Sequence, residues 1–248
     1  MRLPSDKRFC RSISEKSAKV RNFPFSEVSL GFGKTMDKVD LYWDEIAWES
    51  YFSAEECNRC GVDSCRELAE RIAAGERGSA DCGPLSNAKL QAVKIALNGH
   101  YPLPEIPKLA FPRPVTPELI ELNHPGDGDP IVVTGNNQYT QEILLAVLGN
   151  VAEPLFVAFS DTRGDTLDMA VIFGSFTAES VRELFLGTKL ETRAPNSPLI
   201  IPGRAAESAS ALCSLLETKV EVGPVCAAEL PLYLERRSHA PAPLSYVK

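Results

Sequence analysis

Between Pro130 and Arg237 short β-branched runs alternate with amphipathic ones, and no other feature restricts the fold of this chain so strongly. IVVTGNN (131–137), PLFVAFSDTRGD (154–165), DMAVIFGSF (168–176), PLIIPGRA (198–205) and KVEVGPV (219–225) read as five strands running into turns. QYTQEILLAVLGNV, TAESVRELFLGT, AESASALCSLLETK and AAELPLYLERR read as the helices among them, the second opened by Thr177 as a cap. Strands that alternate with helices imply an open α/β sheet with mainly parallel pairing.

Such sheets gather ligands at the carboxyl ends of their strands. The turns there are Thr134-Gly135-Asn136-Asn137, Asp161 to Thr166, Pro202-Gly203 and Gly223-Pro224. None fits G-x-G-x-x-G, so a nicotinamide or flavin dinucleotide is not indicated. Small residues let a broad, flat ligand approach the backbone, and Thr and Asn can hydrogen-bond peripheral amides. A corrinoid meets that description, but from composition alone ordinary βα turns are the simpler reading.

Upstream, ECNRCGVDSCRELAERIAAGERGSADCGP (56–84) sets Cys57, Cys60, Cys65 and Cys82 at C-x2-C-x4-C-x16-C. Gly61 allows a tight loop, and a helix from Arg66 to Ala74 carries the chain round so that Cys82 can close the far side. Four thiolates converging on one small volume suit a [4Fe–4S] cluster. Structural zinc more often shows two C-x2-C knuckles, and here there is one; the asymmetry favours iron–sulfur over zinc. Cys10, Cys213 and Cys226 are scattered and read as reduced thiols.

A net charge of -7 without a dense Lys/Arg face argues against nucleic acid as a partner. No apolar run approaches the ~20 residues that span a bilayer, and the opening residues lack a signal-peptide core, so a cytoplasmic location without membrane contact is expected. Gly33-Lys34-Thr35 resembles a phosphate loop, but the earlier glycine that loop needs is replaced by Val28. Trp43 to Phe52 has near-helical apolar spacing and reads as a core-facing helix. Pro112, Pro114, Pro117, Pro125 and HPGDGDP mark a linker and hinge, and His124 there reads as a surface residue.

The cysteine pattern with Gly61, Gly75-Glu76 and Asp81-Cys82, followed by a strand-like stretch VKIALNGHYPLPEIPK (93–108), resembles the [4Fe–4S] domain of the large (gamma) subunit of the corrinoid iron–sulfur protein of the CO dehydrogenase/acetyl-CoA synthase system. IVVTGNNQYT, SDTRGDTLDMAVIFGSFTAESV and LIIPGRAAESASALCSLLETKVEVGPVCAAELPLYLE are similar to the corrinoid-binding domain of the same subunit. The resemblance implies cluster ligation by Cys57, Cys60, Cys65 and Cys82. It also implies corrinoid contacts at Thr134, Gly135, Asn136, Asn137, Thr140, Asp161, Thr162, Gly164, Thr166, Met169, Ala170, Pro202 and Gly203. The corrinoid, a cobalamin, would be base-off with no histidine ligand, and D-x-H-x-x-G is indeed absent around His100, His124 and His239. The family's TIM barrel has no room here, since 51 residues separate Cys82 from Thr134 and a barrel needs roughly 200 or more.

The expected fold class is therefore α/β: a small helical four-cysteine [4Fe–4S] domain followed by a Rossmann-like corrinoid-binding-type domain. The expected divisions are an N-terminal segment (1–48), the cluster domain (49–108), a linker (109–129), the α/β domain (130–237) and a tail (238–248). By resemblance the chain carries methyl groups in anaerobic one-carbon metabolism, its cluster reducing cobalt(II) to cobalt(I). Its partners would be a separate methyltransferase or TIM-barrel subunit and an electron donor. No catalytic motif competes with a carrier role. The alternatives are a [4Fe–4S] electron-transfer protein that docks or reactivates a corrinoid protein without binding corrinoid, and a zinc-stabilised interaction module.

Overall fold

The structure, a computed structural model, describes residues 42, 45–53, 56, 61–74, 76, 85–98, 112–116, 118–149 and 151–239. Five strands form one sheet: β1 (Leu119–Leu122), β2 (Ile131–Gly135), β3 (Leu155–Ser160), β4 (Leu199–Ile201) and β5 (Val220–Val222), in the order β1-β3-β2-β4-β5. All neighbours pair in parallel except β1, which runs antiparallel to β3 along one edge with Leu119 opposite Ala158. The mainly parallel α/β sheet expected from the alternating runs is present.

Every residue of β2 and β3 is buried, as continuous apolar strands covered on both faces must be. Val132, Val157 and Ile200 point to one face, where they meet α3 (Gln138–Leu148) through Ile143 and Leu144. Ile131, Phe156 and Ile201 point to the other, against α4 (Leu167–Ile172), α5 (Ala178–Thr188), the single turn α6 (Leu190–Arg193) and α7 (Ala209–Leu216). Thr177 caps α5 as read: its side chain accepts from Ser180 N while Ser180 Oγ accepts from Thr177 N.

The helices α1 (Cys65–Ala73) and α2 (Asn87–Asn98) lie on the α3 side. Leu68, Ala69 and Ile72 of α1 and Leu90, Val93 and Ala96 of α2 join Leu232 and Leu234 of α8 (Leu230–His239) in the same apolar cluster that reaches Val132 and Ile143. One hydrophobic cluster therefore runs from α1 to the sheet. Polar contacts follow the same seam: Ser86 Oγ donates to Glu235 at 3.0 Å, and Arg236 Nη1 to the Ser50 carbonyl at 3.0 Å.

Four local expectations are corrected. DMAVIFGSF is the helix α4 followed by a turn, not a strand: Gly174 at φ +67° ends it, its N–H and that of Ser175 returning to Val171 and Ala170. VKIALN belongs to α2, because Leu90, Val93 and Ala96 at helical spacing are all buried. Within the stretch read as a linker, Leu119–Leu122 forms β1. Trp48–Ser50 is a single 3-10 turn rather than part of a longer helix; of the apolar positions at that spacing Ile46 and Tyr51 are buried and Ala47 is exposed, while Trp48 and Phe52 are buried as well. The Gly33-Lys34-Thr35 loop and Trp43 lie outside the described residues.

Candidate functional site

The chain moves from β2 to one neighbour, β3, and then returns across β2 to β4. At such a reversal the helices on the two sides diverge and leave a crevice at the strands' carboxyl ends. A crevice of about 230 Å³, partly open to solvent, lies there. Its wall is buried and apolar, from Val132, Ile143, Leu144, Ile200 and Leu230. Thr134, Thr140, Thr166 and Pro202 add hydroxyls and a rigid turn, and Tyr42, Asp168 and Arg204 complete the rim. None of the crevice residues is a histidine.

Of the thirteen residues expected to meet a corrinoid, Thr134, Thr140, Thr166 and Pro202 line this crevice. Asn136, Asn137, Asp161, Thr162 and Gly164 instead bond to one another beside it. Asn136 Oδ1 accepts from Thr162 N at 3.0 Å and Gly164 N at 2.9 Å, while its Nδ2 donates to Asp161 Oδ1 at 3.3 Å. Asn137 caps α3 through Tyr139 N and Thr140 N and donates to the Gly164 carbonyl at 2.6 Å. This network clamps the β3 turn to the β2 turn.

The glycines serve the same packing. A Cβ on Gly135 would meet Thr162 Oγ1 at 2.8 Å, and one on Gly203 would meet Val225 Cγ2 at 2.7 Å. Gly164, at φ +78°, lies so close to Arg113 and Pro114 that a Cβ would be 2.6 Å from Arg113 N. Their missing side chains make room for the chain itself. Met169 is 42% exposed on α4, and Ala170 is fully buried beneath it. Around Met169, Val171, Ile172 and Phe173 are exposed as well.

Sequence reasoning missed Tyr42 and Arg204. Arg204 donates to Glu45 Oε1 at 2.9 Å, its Nε lies 3.8 Å from Asp168 Oδ1, and its Cζ stands 4.4 Å from the Tyr42 ring centre. Arg204 stood one residue outside the quoted Pro202-Gly203 turn, and that adjacency was the available signal. Tyr42 carried none, because it reaches the rim only through tertiary contact.

Of the four expected cluster ligands, Cys65 lies within the described residues and Cys57, Cys60 and Cys82 lie outside them. Cys65 is the first residue of α1, partly buried against the core, with Ser64 capping through Glu67 N. A negatively charged sulfur ligand at that position meets the positive end of the helix. Among the described residues no three His, Cys, Asp or Glu side chains cluster as a metal site. Cys226 is buried and not disulfide-bonded, as expected, whereas Cys213 is disulfide-bonded rather than a reduced thiol.

The model of the CO dehydrogenase/acetyl-CoA synthase delta subunit family matches residues 107–234, just over half the chain. The chain belongs to that family. The acetyl-CoA decarbonylase/synthase complex subunit gamma of Methanopyrus kandleri is 30% identical over 125 residues, which cover 50% of this chain and 27% of that protein. The Archaeoglobus fulgidus subunit gamma is 32% identical over the same share of each. Subunit gamma 1 of Methanosarcina thermophila is 29% identical over 153 residues, 57% of this chain and 32% of that one. The chain thus aligns with about a quarter to a third of the length of these relatives, and the family match takes in the whole sheet and every crevice residue but Tyr42. The resemblance to the large subunit of the CO dehydrogenase/acetyl-CoA synthase system stands. Among the described residues, no helix is long and apolar enough to cross a membrane.

Proposed function

We propose that this protein is a corrinoid- and [4Fe–4S]-binding methyl carrier that works with a separate methyltransferase or TIM-barrel subunit and an electron donor. The observation that carries the reading is the crevice at the reversal of strand order, where Thr134, Thr140, Thr166 and Pro202 converge. The residues present fit part of a corrinoid. A corrinoid held without a histidine ligand has released its own aromatic base, and the apolar wall of Val132, Ile143, Leu144, Ile200 and Leu230 suits such a base. The threonine hydroxyls suit the polar tether and peripheral amides. When bound, the corrinoid supplies a nucleophilic cobalt that accepts and releases a methyl group, and the cluster supplies the electron that restores its reduced form.

The protein's own contribution is binding and orientation. The Asn136 network fixes the two turns that frame the crevice before any ligand arrives, so the loops need no ordering on binding. Cys57, Cys60, Cys65 and Cys82 would hold the cluster, with α1 carrying the third ligand.

The same network favours a second reading. Because Asn136, Asn137, Asp161 and Thr162 are satisfied by one another, the turns are stable without a corrinoid, as an electron-transfer protein that only docks a corrinoid protein would require.

Anaerobic purification with added hydroxocobalamin, followed by a visible spectrum and metal analysis, separates the readings. About four irons and one retained cobalt per chain, with a base-off spectrum, support the carrier. Iron without cobalt selects the electron-transfer reading, and zinc without iron rejects both. Cys65→Ser should lower the iron content without loss of the α/β fold.

A further inference from the structure

The rim of the crevice holds a cation that the carrier reading leaves without a task. Arg204 lines the opening, and its side chain is 37% exposed, as are those of Glu45 and Asp168 at 47% and 43%. The Arg204–Glu45 pair is therefore solvent-screened, and a pair of this kind is easily exchanged for another anion. The Asp168 contact at 3.8 Å is longer than a hydrogen bond. Tyr42 holds the guanidinium in place by its ring, with Cζ 4.4 Å from the ring centre. Immediately inside, the wall is apolar. The arrangement suits a ligand with an aromatic end and an anionic group a few atoms behind it.

Resting on the corrinoid reading above, we propose that Arg204 determines which corrinoid the crevice accepts, by receiving the phosphodiester of the nucleotide tail. The tail's base enters against Val132 and Ile200, its sugar passes Thr140 and Thr166, and its phosphate replaces Glu45 on Arg204. A guanidinium is the side chain best matched to a phosphate, because its planar fork offers paired N–H donors. Glu45 is then a competitor, holding Arg204 on the rim when the crevice is empty and giving it up to the ligand. Asp168 adds a second carboxylate to the rim, so the phosphate binds through Arg204 against a background of negative charge. Loss of either partner in the exchange has opposite consequences.

The full chain, purified without oxygen, is titrated with hydroxocobalamin and with cobinamide, which lacks the nucleotide tail, the visible spectrum reporting binding. Wild type should prefer cobalamin. Arg204→Gln should weaken cobalamin about tenfold or more, as expected for a lost charge-assisted hydrogen bond, and leave cobinamide unchanged. Glu45→Gln should tighten cobalamin and also leave cobinamide unchanged. An equal loss for both corrinoids in Arg204→Gln overturns the assignment while leaving the corrinoid reading intact, and so does weaker or unchanged cobalamin binding in Glu45→Gln. A wild type that retains neither corrinoid overturns both.

Discussion

Tyr51 donates its hydroxyl hydrogen to Oε1 of Glu229 across 2.7 Å, tying the segment ahead of the cysteine stretch to the turn that leads into α8. The residues are 7% and 4% exposed. Ala47 N approaches the same oxygen at 3.4 Å, and the Arg236 guanidinium lies 5.6 Å from the Tyr51 ring. Burial, reinforced by the hydrogen bond and the charge of Glu229, pushes the Tyr51 hydroxyl far above its ordinary range. Tyr51→Phe removes the one strong donor while keeping the ring. It should cost about 1–3 kcal/mol, the penalty for a buried acceptor left short of its partner, measured by denaturant unfolding.

Glu229 makes the stability of this seam depend on pH. Burial raises its carboxyl above the ordinary value of 4.5, against the opposing hydrogen bonds from Tyr51 and Ala47 and the charge of Arg236. Below 4.5 the group is protonated in both states and contributes nothing. As pH rises from 4.5 through the folded value, the unfolded chain releases its proton first, and folding stability falls. Melting temperatures of wild type and Glu229→Gln followed across that window should diverge, with wild type losing ground as pH rises. Parallel curves would show that Glu229 does not titrate differently on folding.

The elements that were legible are those whose burial matches their composition. IVVTG and LFVAFS are mostly apolar, with β-branched or aromatic residues at most positions of the first and half of the second, and both are wholly buried strands. MAVIF has the same texture, yet Met169, Val171 and Ile172 on α4 and Phe173 just after it are exposed. A short apolar run does not by itself distinguish strand from helix, and the deciding signs were Thr166 before it and Gly174 after it. Thr134, Thr140, Thr166 and Pro202 were legible as crevice residues because βα turns of a parallel sheet converge there. Asn136 and Gly164 were read toward a ligand because sequence does not reveal which hydrogen bonds the fold already satisfies. Tyr42 and Glu45 reach Arg204 from some 160 residues away in the chain, a contact that no local pattern encodes.

The Asn136 clamp predicts two large losses at positions remote from the apolar core. Asn136→Ala leaves the Thr162 and Gly164 N–H groups without their acceptor, and should cost about 2–4 kcal/mol. Gly164→Ala must place a Cβ against Arg113 and Pro114 at φ +78°, and should cost about 2 kcal/mol or more. Both should accelerate hydrogen exchange in 161–166 and 112–116 beyond the change in global stability. Loss confined to ligand binding, with unchanged unfolding, would return these residues to a purely ligand-facing role.

Lys89 and Glu56 form a buried ion pair at the threshold of the cysteine stretch. Lys89 Nζ reaches both Glu56 oxygens, at 2.7 and 2.8 Å, with the two side chains 11% and 12% exposed. Glu56 also accepts from Ser53 N at 2.6 Å while Ser53 Oγ accepts from Glu56 N at 3.2 Å, a reciprocal cap. The pair pins the residue before Cys57 to α2. A desolvated pair contributes little net stability but is costly to break from one side, because the remaining charge stays buried. Lys89→Met should therefore cost about 3–5 kcal/mol, and adding Glu56→Gln should recover more than half of it, since Gln keeps the bond to Ser53 without the charge. A double-mutant cycle by denaturant unfolding gives the coupling directly. Additive losses would mean that the two side chains are solvated separately and that α2 does not anchor the start of the cysteine stretch.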